Sequence, residues 1–315
     1  MLNRRLLRVK VMQALYAFFQ SAGNDIGRAE RELFLSIERV YDLYLHYLML
    51  PAELLQVAEV QMEEARNKIL PTEEDLNPNR KFIDNPVIHK LATNRHLLYA
   101  AEKSKVSWSK DQDLVKLIWK KIKESQLYRE YMISADDSEA LHRNFLMKIY
   151  SSLLLDSDLL YSHFQERSIY WEEEDSDFAL HMAIRFIKKI KAKEENAEKL
   201  PPMYKDEEDR DFVKNLLRKT ISHNKENDEL VASKASNWEI ERIAVLDVII
   251  MKMAITEFLH LPTIPVKVTL NEYIEISKFF SSPKSKMFIN GILDKLLISF
   301  KEESRIRKVG RGLMQ

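Results

Sequence analysis

Glycine is nearly absent, with five residues in a chain of 315, where ordinary usage is about 7%. Tight β-turns and phosphate-cradling loops both lean on residues free to take positive φ. A chain this poor in glycine is expected to consist of helices joined by short polar links. Its 45% hydrophobic content suffices to build the core of one large domain or two smaller ones. Trp238 to Leu259 constrains the arrangement most: Ile243, Leu246, Val248, Ile249, Ile250, Met251, Met253, Ala254, Ile255 and Phe258 make it nearly apolar all round. Such a helix belongs in the centre of a bundle. Its polar members Glu239, Arg242, Lys252, Thr256 and Glu257 share one broad arc. Asp247 lies outside that arc and needs a partner or a local opening to water.

In chain order, Leu7, Val11, Leu15 and Phe18 or Phe19 set a helical stripe over residues 3–20. Arg4, Arg5, Arg8 and Lys10 load the first turns with four positive charges and no acid. That arrangement opposes the helix dipole, so either a phosphate partner offsets it or the segment frays in solvent. Asn24-Asp25-Ile26-Gly27 reads as a turn, and residues 28–69 as a helix with Leu33, Ile37, Val40, Tyr44 and Leu48 on one face. Pro51 should break or kink it and Pro71 end it. Tyr41, Tyr44 and Tyr47, at helical spacing, are expected in the core with their hydroxyls at its edge.

Helical patterns follow over 86–103, 112–132, 137–165 and 176–192, so this region is foldable and not a spacer. The acidic run Trp171 to Asp177 lacks the alternating acids and glycine of a calcium loop and reads as a lead-in to the next helix. A polar link over 200–209 precedes a helix from Asp211 to Ser222.

Near the C-terminus a helix should start between Thr263 and Thr269, with Thr269 and Glu272 as a possible capping box. Ser282 with Pro283 reads as an N-cap and first-turn proline that restart a second helix, whose core stripe is Ile289, Leu293, Leu296 and Phe300. Lys284, Lys286, Asn290 and the helix-start amides fall near one junction, while Phe288 sits off the stripe. Two readings stand for these residues: solvated lysines with Phe288 in a second core stripe, or an anion site for a phosphate.

NEYIEISKFF followed by S-x-K-M-FINGILDKL resembles the signature of the NusB family of transcription antitermination proteins. The matching positions are Pro265, Val266, Lys267, Asn271, Glu272, Glu275, Lys278, Ser285, Phe288, Ile289, Asn290, Gly291, Leu293 and Asp294. The N-terminus is similar as well, an arginine-rich start leading into Val11, Gln13, Ala14, Leu15 and Tyr16, with Leu6 and Leu7 splitting the arginines. Trp238, Arg242, Asp247, Ala254 and Glu257 carry the resemblance through the central helix. It covers about residues 1–50 and 210–300.

This resemblance implies an all-α, NusB-like helical bundle, organised as N-terminal helices over 1–71, a helical insertion over 72–205, a C-terminal subdomain over 206–303 and a basic tail over 304–315. It implies binding of boxA-type ribosomal RNA leader RNA, jointly with the small-subunit ribosomal protein NusE, within an RNA polymerase antitermination complex. Arg4, Arg5 and Arg8 would neutralise phosphates. Lys284, Lys286, Phe288 and Asn290 would form a second RNA patch, with Phe288 stacking on an unpaired base. Lys284 stands where the family can carry an acidic residue. Asp247 and Glu257 mark the expected face for the protein partner. The alternative is a helical interaction scaffold that works through the 72–205 insertion, with RNA binding weak or lost.

The 49 basic and 49 acidic residues cancel, so any nucleic-acid surface must be a local patch. The absence of cysteine excludes disulfides, thiolate metal sites and thiol nucleophiles. There is no phosphate-binding glycine loop, no H-E-x-x-H and no nucleophile elbow, and the eight histidines show no ligand spacing. No enzyme activity, cofactor or metal is expected. No apolar run approaches the roughly 20 residues that span a bilayer, and a cytoplasmic protein is expected.

Overall fold

The computed structural model describes residues 2–21, 25–155, 157–194, 198–235 and 243–313, which form helices and no strand. No helix among them is long and apolar enough to cross a membrane. Asn24, Trp238, Glu239 and Arg242 lie outside the described residues. The chain divides into two compact units, Met1–Ile37 with Pro202–Gln315, and Glu38–Pro201. The second unit thus begins inside a helix, at residue 38.

α1 (Arg4–Gln20) starts at Asn3, whose side chain accepts from the Leu6 amide at 2.8 Å. α2 (Ile26–Arg66) serves both units: Leu33 and Ile37 are buried in the first, Val40, Tyr44 and Leu48 in the second. Contrary to expectation, it runs on through Pro51. Proline removes the N–H that would bond the Tyr47 carbonyl four residues back, and the buried Tyr150 hydroxyl donates to that carbonyl instead. Trp108 Nε1 likewise donates to the His46 carbonyl at 3.0 Å, and Trp171 Nε1 to that of Arg39 at 2.7 Å. Side chains from later in the unit therefore bond α2 backbone carbonyls, Tyr150 doing so at the one the proline leaves unpaired. Tyr44 and Tyr47 are fully buried rather than at the edge. The Tyr47 hydroxyl meets Ser176 Oγ at 2.7 Å.

The rest of the second unit is α3 (Glu73–Leu76), α4 (Pro86–Ala92), α5 (Arg95–Ser104), α6 (Gln112–Glu124), α7 (Gln126–Ile133), α8 (Glu139–Ile149), α9 (Asp158–Arg167) and α10 (Glu173–Ile187). Three of the expected helices are each split in two. Asn94 caps α5 by accepting from the His96 and Leu97 amides, and Ser125 ends α6 while capping α7. The third break follows a π-turn at Tyr150–Leu154, between α8 and α9. The acidic run does lead into a helix: Glu172 and Asp175 form a capping box at the start of α10.

His46 lies in the core of this unit, edge-on to Trp108, Phe164 and Trp171. Burial pushes its pKa down to about 4, below the usual value of about 6.5. The unfolded chain therefore binds the proton more tightly, so stability is full above about pH 6.5 and falls as pH drops towards 4. The loss reaches about 3 kcal/mol. Urea unfolding across this window should show the decline, and His46→Phe should make it shallower, with His163 and His260, whose pKa values burial also lowers, contributing the rest. An unchanged slope in that variant would assign the dependence elsewhere.

The first unit is completed by α11 (Glu207–Ser222), α12 (Asn224–Lys234), α13 (Val245–His260), α14 (Val266–Phe280) and α15 (Pro283–Glu302). As its all-round apolarity requires, α13 is central and packs against α1, α11, α12, α14 and α15. Its polar side chains are answered internally. Lys252 Nζ reaches Asn224 Oδ1 and Asp228 Oδ1, both at 2.7 Å, and Thr256 Oγ1 accepts from Asn227 at 3.2 Å. α15 begins as the sequence indicates, with Ser282 Oγ accepting from the Ser285 amide at 3.1 Å. Ile289, Leu293, Leu296 and Phe300 are all buried.

The basic tail packs back on the α13–α14 turn. Val309 N–H donates to the Pro262 carbonyl at 3.0 Å, and Lys308 Nζ donates to the Glu257 and Leu261 carbonyls at 2.9 and 3.0 Å, capping α13. A Cβ on Gly312 would stand 2.0 Å from the Pro262 carbonyl oxygen, so only glycine fits this approach.

Candidate nucleic-acid interface

The three N-terminal arginines share α1 but occupy different environments. Arg4 Nε donates to Asp209 Oδ1 at 2.7 Å, and its guanidinium lies 5.2 Å from the Phe212 ring centre. Arg5 forms a two-pronged pair with Glu272, both bonds 3.0 Å, and its side chain remains 44% exposed. The Glu272 hydrogen bond holds the Arg5 pKa above its ordinary value. Arg8 is only 1% exposed. Its Nε and Nη2 donate to Glu257 at 3.0 and 2.7 Å, and Nη1 donates to the Arg4 carbonyl at 3.2 Å.

The dipole conflict at this N-terminus is thus answered by Asp209, Glu272 and Glu257, with no phosphate needed. Arg4 and Arg5 keep N–H donors towards solvent, since each guanidinium carries five. Arg8, expected in the RNA patch, has its charge committed to Glu257 and cannot reach a phosphate unless that pair opens.

Glu257 is the centre of this arrangement. Besides Arg8, it accepts from the Thr269 hydroxyl at 2.8 Å and the Tyr273 hydroxyl at 3.1 Å. Burial lowers the Arg8 pKa in itself, but the Glu257 carboxylate more than offsets this and holds it above the ordinary arginine value. Burial raises the Tyr273 phenol well above its usual range. Thr269 therefore serves Glu257 and not a capping box with Glu272. The N-cap of α14 is Pro265, without a side-chain cap.

Asp247 is 3% exposed and Glu257 0%, so neither carboxylate is available to a docking protein. The partner that Asp247 requires is Ser281, whose hydroxyl donates to Asp247 Oδ1. Ser281 adjoins the Ser282 cap, so this contact anchors the turn from which α15 departs.

Past that turn, Lys284 is exposed, while Lys286, Phe288 and Asn290 are half-buried. Asn290 Nδ2 donates to Asp294 at 3.1 Å. Glu275 marks where the two basic regions meet. Lys278 pairs with it and holds it below the usual carboxylate range, with smaller contributions from Arg5 and Lys286. The fold thus brings Arg5 of α1, Glu272, Glu275 and Lys278 of α14 and Lys286 of α15 onto one region of the first unit. Beside it, a groove of about 450 Å³ runs along Asn3, Arg4, Arg5, Pro265, Val268 and Glu272.

Gly291 adds an observation that its sequence alone did not yield. It lies inside α15, where glycine costs roughly 0.5–1 kcal/mol relative to alanine, yet a Cβ there would meet nothing within 4 Å. No packing among the described residues requires it.

Comparison with known proteins now decides the family. A relative from Salinibacter ruber, named transcription antitermination protein NusB, is 36% identical over 151 residues, which are 47% of this chain and 85% of that protein. The chain belongs to the NusB family. The NusB family model matches residues 178–297. NusB of Chloroherpeton thalassium is 40% identical over 105 residues, 33% of this chain and 50% of that protein. NusB of Symbiobacterium thermophilum is 36% identical over 96 residues, 30% of this chain and 63% of that protein. No solved structure matches the chain. The NusB match takes in α10 of the second unit and α11 to α15 of the first.

Proposed function

We propose that the chain is an RNA-binding transcription antitermination factor that takes boxA-type ribosomal RNA leader RNA together with NusE, in an RNA polymerase antitermination complex. The observation that supports this reading is that Arg5 of α1 pairs with Glu272 of α14, and α14 packs in turn against α15, which carries Lys284 and Lys286. Arg4 and Arg5 meet phosphates with the N–H groups left after pairing, and Lys284 and Lys286 extend the positive track. Half-buried Phe288 is the candidate to stack on a base, a contact worth about 1–3 kcal/mol, with Asn290 a polar contact beside it. Arg8 and Asp247 act indirectly: Arg8 holds the Arg4 backbone and Asp247 holds the turn before α15.

The net field of this surface is modest, since Asp209, Glu272 and Glu275 lie within it. Binding is therefore expected to depend on a few contacts and on NusE. In a titration of leader RNA at several salt concentrations, Arg5→Ala and Lys286→Ala should each weaken binding and lower the salt slope by about 1. A double variant that stays folded and keeps wild-type affinity and slope would remove this surface from the account.

The scaffold reading draws on the 72–205 insertion, nearly all of it in the second unit, where Ile133 and Ile169 are 83% and 87% exposed. Under it, partner binding follows that unit while RNA binding is weak everywhere.

A further inference from the structure

Away from the proposed RNA surface, the fold gathers three metal-ligating side chains that the sequence keeps apart. His223 precedes α12, Glu226 lies in its first turn and His260 ends α13. One donor atom from each lies within 4.8 Å of the others. The imidazole rings of His223 and His260 stack with centres 3.9 Å apart.

Each histidine presents a nitrogen suited to a metal. His223 Nδ1 lies 2.9 Å from the Lys219 carbonyl and 3.1 Å from the Ser222 hydroxyl, and bonding to the carbonyl, which can only accept, puts the proton on Nδ1. Nε2 is left with its lone pair, the tautomer in which an imidazole binds metal while its other nitrogen is held by backbone. His260 Nε2 is buried with no hydrogen-bond partner, an arrangement that costs free energy unless something binds there.

Glu226 supplies the third donor. Its Oε1 accepts from Arg305 at 2.8 Å, leaving the other oxygen. Lys219 holds the His260 carbonyl at 3.0 Å, so the main chain on both sides of the site is fixed. Two imidazole nitrogens favour a transition metal over magnesium or calcium, which prefer oxygen donors.

We infer that His223, Glu226 and His260 form a binding site for a zinc-class transition-metal ion. Two imidazole nitrogens and one carboxylate oxygen match the donor set of four-coordinate zinc with one position left to water, at ligand distances of about 2.0–2.2 Å. Seating the ion draws the donors closer together and parts the stacked rings. Bound there, it would tie the start of α12 to the end of α13, and through Arg305 to the C-terminal segment.

The test is isothermal titration of the full chain, stripped of metal with a chelator, with zinc chloride and separately with magnesium chloride. The expected result is one zinc per chain and no magnesium binding. His223→Gln and His260→Ala should each weaken zinc binding at least about tenfold, and zinc should raise the melting temperature of the wild type alone. Absence of zinc binding, or wild-type affinity in His223→Gln, would overturn the proposal. Should His260→Ala fail to fold, the half-buried His223 still decides the matter.

Discussion

Replacing Glu257 by alanine lowers the stability of the first unit by about 3–5 kcal/mol, the usual cost of removing one partner from a buried ion pair. The loss exceeds that of a surface pair because Arg8 would remain 1% exposed with only Glu272, 3.9 Å away, left to answer its charge. Thr269 and Tyr273 would lose their acceptor as well. Replacing both Arg8 and Glu257 by apolar residues should recover only part of the loss, since those two hydroxyls stay buried and unpaired. Adding Thr269→Val and Tyr273→Phe should recover more. Urea unfolding of the series provides the check. A loss below about 1 kcal/mol for Glu257→Ala, the range of surface pairs, would show that the cluster is solvated and not a fixed centre of the bundle.

Trp108→Ala is expected to cost about 3–5 kcal/mol, as for other large aromatic residues removed from a core. Trp108 is 0% exposed, packs against His46 and Phe164, and supplies the donor for the His46 carbonyl near Pro51. The damage falls on the second unit, whereas Arg4, Arg5, Lys284, Lys286 and Phe288 all belong to the first. Near-UV circular dichroism should therefore report loss of aromatic packing while RNA affinity changes little. If RNA binding were wild-type while a protein partner was lost, the second unit would be the docking body that the scaffold reading requires.

The parts of the fold legible in the sequence were those set by local pattern. The central place of α13 followed from its apolar circumference, and the start of α15 from Ser282 and Pro283. The helices of the second unit were visible in their apolar spacing, but their breaks at Asn94 and Ser125 were not, because a single capping side chain interrupts a helix without disturbing the stripe. Continuation through Pro51 was hidden for a different reason. It depends on Tyr150, 99 residues further along, donating to the Tyr47 carbonyl.

The candidate site was half legible. Charge and resemblance picked out Arg4, Arg5, Lys284 and Lys286, but pattern cannot tell an exposed arginine from one already paired. Arg8 meets Glu257 across 249 residues, and Asp247 meets Ser281 across 34. Both pairings arise only when α1, α13 and the turn before α15 come together. The neighbourhood of His223 and His260 was invisible likewise, since their separation matches no local ligand motif.

The most direct test of the central reading is fluorescence anisotropy of a labelled boxA-type leader RNA titrated with this chain, with and without NusE, at low and physiological salt. The account predicts that NusE tightens binding, that boxA is preferred over a scrambled RNA, and that Arg5→Ala with Lys286→Ala removes most of the affinity. Equal, feeble binding to both RNAs in every condition, unaffected by NusE, would contradict it and leave a NusB-family fold whose work lies elsewhere in the chain.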